Sequence, residues 1–158
     1  MSKYFDKSIN EKCNNPEFKR VNDLRVDLNS FFADEFGCKK PPCNYPMYNR
    51  TLDFQRAAFD VHLRYYKSPI YEGMLLVIAR VSFKKTRVGH MTRFLEYIVK
   101  ISNRHNIKNV ALEQTITDAG VAAAESFGFS NSFNELNWII SIEGLHENLQ
   151  RRKVLNLQ

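Results

Sequence analysis

The run Met74–Phe83, together with the loop and helix pattern after it, constrains this chain more than any other feature. The run is short, apolar and β-branched, the composition of a buried strand. It leads straight into Lys84-Lys85-Thr86-Arg87-Val88-Gly89, a basic loop holding one glycine. Beyond the loop, Met91, Phe94, Leu95, Ile98 and Val99 recur at i, i+3, i+4, i+7 and i+8, which predicts a helix from about His90 to Ser102 with one apolar face. Asn109 to Leu112 then reads as a second short strand, closed by Glu113-Gln114. A strand, a basic turn, a helix and a strand in such close succession belong to an α/β domain.

The length, 158 residues, suits one such domain. A domain of this size hides roughly two-thirds of the surface its unfolded chain exposes, so its core needs no disulfides. The longest apolar run, Met74 to Ala79, stops at Arg80, whereas a membrane span needs ~20 apolar residues. The first residues lack the apolar stretch of a secretory signal. Cys13, Cys38 and Cys43 are odd in number and spaced unlike a zinc knuckle. They read as structural or free thiols in a reducing, cytoplasmic setting. Against 17 acidic side chains stand 23 basic ones, a net +6, and they are scattered, as on a solvated basic surface. By sign alone the charge favours an anionic partner, a nucleic acid or a phosphorylated cofactor.

Along the rest of the chain, residues 1–15 read as a flexible N-terminal arm, 16–143 as the domain and 144–158 as a polar C-terminal tail with helical potential. Pro16 to Phe36 is helical in pattern, with Pro16 suited to its start and Gly37 to its end. Residues 38–50 read as an ordered loop. Residues 52–66 are ambiguous. Phe59, Val61, Leu63 and Tyr65 alternate with polar residues, which predicts a strand from Phe59 to Tyr66, while Leu52 to Phe59 also suits a helical turn. Asp118 is the expected N-cap of a helix through Phe127, with Gly128 closing it. Glu135 to Ile142 reads as a last strand.

A helix that begins after a glycine loop is an anion site on physical grounds. Its first N–H groups have no internal partners and carry partial positive charge. Gly89 admits a ligand close to the backbone, and Lys84, Lys85 and Arg87 suit a polyphosphate. An ordinary strand-to-helix turn with solvated charges accounts for the same residues.

The stretch Val81-Ser-Phe-Lys-Lys-Thr86-Arg-Val-Gly89-His-Met91-Thr-Arg-Phe-Leu95 resembles the cofactor segment of the GNAT (N-acetyltransferase) superfamily. Ile107-Lys-Asn-Val-Ala-Leu-Glu113 resembles the family's next strand, and Thr117 to Gly128-Phe129 its next helix. The chain so read is a diverged member. The resemblance implies an acyl-CoA N-acyltransferase fold: a mixed, mostly antiparallel sheet, splayed between residues 74–83 and 109–113, with helices on both faces. It implies acetyl-CoA or another acyl-CoA as co-substrate and transfer of the acyl group to an amine, on a small molecule or a protein. Val81, Ser82 and Phe83 would line the pantetheine arm, and Arg87, Val88, Gly89, His90 and Met91 would face the phosphates. The chain departs from the family at Thr86, where Arg or Gln is usual, and at Met91, where a second small residue is usual. It departs again at Thr117 and Ala124, which hold the places of an asparagine and a proton-donating tyrosine. Alanine has no proton to give, so the departing thiolate would take one from elsewhere, such as water.

Glu113, where the splayed strands would open, is the candidate catalytic residue, a carboxylate able to accept an amine proton directly or through water. A strand-end glutamate paired with a lysine or capping the next turn is its structural alternative. His90 reads as a first-turn solvent residue, and His62 as a member of a polar strand face. His105 and His146 carry no local signal. Tyr45, Tyr48, Tyr65, Tyr66 and Tyr71 cluster before the cofactor segment, where the resemblance implies the acceptor site. The alternative to an enzyme is a non-catalytic module that keeps this frame for a protein or nucleic-acid partner, aromatic and basic side chains being able to stack on bases.

Overall fold

The computed structural model describes residues 15–44, 50–113, 117–131 and 137–156. Cys13, Tyr45, Tyr48 and all of the expected arm except Asn15 lie outside them. The order is α1 (Pro16–Phe36), β1 (Thr51–Arg56), β2 (Phe59–Lys67), β3 (Met74–Phe83), α2 (His90–Ser102), β4 (Ile107–Leu112), α3 (Asp118–Ser126), β5 (Ser130–Asn131), β6 (Trp138–Ser141) and α4 (Ile142–Asn156).

Local chemistry sets most of these bounds. Asn15 caps α1 by accepting from the N–H groups of Glu17 and Phe18, with Pro16 in the first turn. Gly37, at φ +67°, ends it in the left-handed region. The ambiguous stretch is a hairpin, because its alternation continues across the turn: Leu52 stands opposite Leu63 and Phe54 opposite Val61. Some bounds differ from expectation. β4 starts at Ile107 rather than Asn109, and β6 ends at Ser141 because Ile142 already belongs to α4. The cap of α3 is Thr117, whose hydroxyl accepts from Gly120 N–H, and Asp118 is the first residue of the helix. Glu135 and Leu136, expected in the last strand, lie outside the described residues.

The strands form one sheet in the order β1-β2-β3-β4-β6-β5, antiparallel except for the β3–β4 pair. β5 is therefore parallel to β4, two places further on. The crossovers β3–α2–β4 and β4–α3–β5 step the same way along the sheet, so the right-handed rule lays both helices on one face. α1 joins them through Phe31, whose ring lies 5.6 Å from Phe94 and 5.2 Å from Tyr97. α4 joins through Leu145 and Leu149, both buried in the same apolar cluster. The four described helices thus share one face, where helices were expected on both. The residues read as a polar tail supply part of this core.

The opposite face carries Asp53, His62, Arg64, Asn109 and Ala111 in alternation. No helix among the described residues covers it. None of the described helices is long and apolar enough to cross a membrane. Cys38 is a free thiol, and burial pushes the Cys43 thiol up.

The centre of the core is aromatic. Phe32, fully buried, stacks on Phe54 at 4.8 Å and Phe59 at 4.7 Å, which fixes α1 across the β1–β2 hairpin. Phe32→Ala removes these contacts and leaves a cavity, and a loss of about 3–5 kcal/mol in unfolding free energy, read by urea denaturation, is expected.

Candidate functional site

β3 pairs with β2 along its whole length, down to Phe83 against Phe59. With β4 it pairs only from Met74 to Ile78, and the last bond across the pair runs from Glu113 N–H to the Ile78 carbonyl, 3.1 Å. The next residue, Ala79, is bulged: Ile78 faces Leu63 and Arg80 faces His62, with nothing opposite Ala79. A bulge bends and twists the strand that carries it. From there β3 follows β2 and β4 ends, so the two strands part as the resemblance implies. Their parting opens a cleft of about 970 Å³. Side chains from both sheet faces line it, Val81 and Phe83 from the helix side, Arg80 and Ser82 from the other.

One end of the cleft is the start of α2. Arg87 and Gly89 both take left-handed backbone, at φ +61° and +89°. The first is costly for a side chain and the second is where glycine is needed, since a Cβ on Gly89 would sit 2.6 Å from an Arg93 nitrogen. α1 and α3 have side-chain caps, but α2 has none. Its first N–H groups thus stay open beside the cleft, with the partial positive charge of a helix start.

Glu35 organises this end. Its carboxylate, on α1, accepts from His90 Nδ1 at 2.8 Å and from Arg93 Nε at 2.6 Å. The hydrogen bond from Arg93 is the main reason that its pKa lies below the ordinary value. Arg93 also donates to the Val88 carbonyl, 3.0 Å, which pins the loop. The His90 ring packs between Phe36 and Phe83, at 4.5 and 5.5 Å. Expected in solvent, it is turned inward, because Glu35 and two aromatic rings hold it there.

The structure gathers Val81, Ser82, Phe83, Arg87, Gly89, His90, Met91 and Glu113 around the one cleft. Val88 is exposed on the same loop. Met91 packs partly against the core. Glu113 is ion-paired with Arg64 of β2, an arginine where its structural alternative had a lysine. Ala124 is fully buried, so a tyrosine ring at that place has no room without repacking. Of the tyrosines, Tyr65 belongs to the core, where it donates to the His105 carbonyl and burial pushes its pKa up to about 12.

Sequence reasoning missed Glu35, whose spacing from His90 is beyond any local pattern, and Arg152. From α4, Arg152 reaches the cleft at the end of α3. Its guanidinium lies 4.1 Å from the Phe127 ring centre and donates to the Ser126 carbonyl at 3.2 Å. Neither Lys85, Arg87 nor Arg152 has a carboxylate partner among the described residues, so the cleft holds uncompensated positive charge.

No protein-family model and no curated protein sequence matches the chain. Among solved structures it is similar to the KacTA–DNA complex, at 10% identity and a TM-score of 0.46 over 64% of this chain and 71% of that one. It is also similar to AtaTR bound with acetyl-CoA, at 11% identity and a TM-score of 0.45 over 61% and 68%. A third likeness is to Tetrahymena GCN5, at 12% identity and a TM-score of 0.42 over 82% and 92%.

Glu35→Gln removes the charge that holds His90 and Arg93. Arg93 is half exposed, so solvent screening keeps the expected loss near 1 kcal/mol at neutral pH. Because the folded-state pKa of Glu35 is lowered, this stabilisation is complete above its ordinary value of 4.5 and disappears as pH falls through the folded value. Denaturation curves of wild type and variant should therefore differ at neutral pH and converge in acid.

Proposed function

We propose that the protein is an acyl-CoA-dependent N-acyltransferase that moves an acyl group, such as acetyl, to an amine. The observation that carries this reading is the parting of β3 and β4 beside an uncapped helix start. The edge of β3 beyond Ile78 offers backbone N–H and C=O groups without a partner strand, and the pantetheine arm is a chain of amides able to pair with such an edge. The open N–H groups of α2, with Arg87 and Lys85, suit the pyrophosphate. Arg152, across the cleft, suits a further phosphate of the same ligand. A cleft of about 970 Å³ is in the range of ligand sites.

In this reading Val81, Ser82 and Phe83 enclose the arm, and His90 and Met91 contribute chiefly backbone to the phosphate end. Glu113 lies where the reacting carbonyl would stand. Its carboxylate attracts an acceptor that arrives as an ammonium, and its bond to Arg64 keeps it aimed into the gap. With Ala124 in place of an acid, water supplies no more than a modest proton donor, so turnover is slow by the standard of acid-assisted transfer.

Binding is testable before any acceptor is known. At 100 times its dissociation constant, acetyl-CoA stabilises by about 2.7 kcal/mol, a rise of roughly 5–10 °C in melting temperature for a domain of this size. Gly89→Val should abolish the shift, since it strains the loop and displaces Arg93. Arg152→Ala should weaken binding roughly tenfold, the equivalent of one charged hydrogen bond. Absence of any shift with millimolar acetyl-CoA or longer acyl-CoAs would overturn the reading. Once an acceptor is found, Glu113→Gln should lower kcat/KM for that amine while the acetyl-CoA shift stays unchanged.

A further inference from the structure

We infer that the acceptor is an α-amino acid, held at the mouth of the cleft with its ammonium on Glu113 and its carboxylate on Arg64. The inference rests on the acyltransferase reading. Among the described residues that line the cleft, Glu113 is the one carboxylate, whereas Arg80, Lys85, Arg87 and Arg152 bring positive charge. An acceptor that arrives as an ammonium therefore has a single anionic place to go. Glu113 stands at the fork itself, because its N–H closes the last bond between β3 and β4. It follows Asn109 and Ala111 in the alternation of β4, so its side chain leaves the sheet on the face that no described helix covers.

What Glu113 holds on that face is the Arg64 guanidinium. Arg64 starts from β2 opposite Val77, and Val77 is in turn opposite Ala111 of β4. Its side chain crosses β3 to reach the cleft-lining carboxylate. That contact puts the guanidinium at the mouth, although the backbone of Arg64 lies a strand away. Neither Val77 nor Ala111 has a polar side chain to compete for either charge. The pair is reachable from solvent, with 39% of the Arg64 side chain and 25% of that of Glu113 exposed. Arg80, which also lines the cleft, is already matched. It donates through Nε and Nη2 to the two oxygens of Asp60, at 2.9 and 3.1 Å, and lies 3.7 Å from Asp53. Arg64 has Glu113 alone among the described residues, and its Nε is buried without a hydrogen-bond partner. A guanidinium carries five N–H donors, so one carboxylate leaves most of them unused.

The pair decides which amines fit. An acceptor with only positive charge meets Arg64 as well as Glu113, and two cations then share one carboxylate. They repel each other, and pulling Arg64 away leaves its guanidinium unpaired. An α-amino acid removes the conflict. Its ammonium and carboxylate are joined through one carbon, so they sit side by side as the two protein charges do. Glu113 takes the ammonium, and the planar guanidinium takes the carboxylate. A lysine side chain within a peptide has no such anion beside its ammonium.

The ammonium gives one proton through Glu113 to water, which exposes the nitrogen lone pair. Nitrogen bonds to the thioester carbonyl carbon, and the carbon–sulfur bond breaks with its electron pair on sulfur. A second proton leaves the nitrogen for water as the amide forms, and the thiolate takes one up to become free CoA thiol. The product, an N-acyl amino acid, keeps its anion and has lost its cation. Glu113 then repels it and regains Arg64, which favours release.

The test measures CoA release from acetyl-CoA with each of the common amino acids, with the amide of the best of them, and with a lysine-containing peptide blocked at both ends. The acetyl-CoA melting shift is followed in parallel. The amino acid should exceed its own amide at least about tenfold in kcat/KM, the effect of one charged hydrogen bond. The amide's amine is the less basic, so more of it is unprotonated at neutral pH, and amine basicity works against this preference. Arg64→Gln should bring acid and amide within about threefold of each other, chiefly through KM for the acid, with the melting shift unchanged. Arg64→Lys, which keeps the charge but not the planar fork, should retain part of the preference. An Arg64→Gln protein that keeps the full preference overturns the inference. So does an amide used as well as its acid, or a blocked peptide used better than every amino acid, and these leave the acyltransferase reading intact. Wild-type protein that binds acetyl-CoA but releases no CoA with any amino acid also overturns it, whereas wild type that shows no melting shift overturns the acyltransferase reading itself.

Discussion

The arrangement of this molecule depends on a strand that cannot serve two neighbours. β3 is committed to β2 over its full length, while β4 holds it only as far as Ile78. The bulge at Ala79 lets β3 keep its pairing with β2 while its path bends. That geometry sets the rest of the site. The free edge of β3 becomes one wall of a cleft, β4 ends at the cleft's mouth with Glu113, and the loop after Phe83 has to turn sharply to start α2. A parallel pair held along its whole length would have closed the same sheet and left only an apolar core with a basic surface.

Electrostatics sort the basic side chains into those already satisfied and those still open. Arg93 is paired with Glu35, Arg104 with Asp27, Arg80 with Asp60 and Arg64 with Glu113. Lys85, Arg87 and Arg152 face the cleft without such partners among the described residues. The net +6 is thus not an even coat. Part of it converges where an uncapped helix start already favours anions, and electrostatic attraction is stronger in a concave site than on an open surface. The strained backbone of Arg87 belongs to the same place, held by Arg93 through the Val88 carbonyl.

The two faces of the sheet divide the labour. The helix-bearing face is packed with aromatic and aliphatic side chains, which makes the scaffold stiff. The other face, which no described helix covers, carries cross-strand pairs, Asp53 with His62 and Asp60 with Arg80, on β1, β2 and β3. Polar side chains on a rigid sheet hold their positions better than the same groups on a loop.

The sequence alone determined the elements whose causes are local. A helix needs its apolar residues within four positions of one another and its caps within three, and those ranges made α1, α2 and the strand at Met74–Phe83 legible. The basic loop and Gly89 were legible for the same reason, and with them the end of the cleft at the start of α2. Even local reading missed by a residue where two neighbours compete, as Thr117 took the cap from Asp118 through its hydroxyl. What only the tertiary structure decided are the relations that join distant residues. These include the pairing of Asp53 with His62 across a hairpin, the grip of Glu35 on His90, and the reach of Arg152 to the end of α3. They also include the gathering of the four described helices on one face. Each depends on strand register, crossover handedness or the packing of one element on another. Those quantities arise from the whole chain folding at once and are written in no short stretch of it.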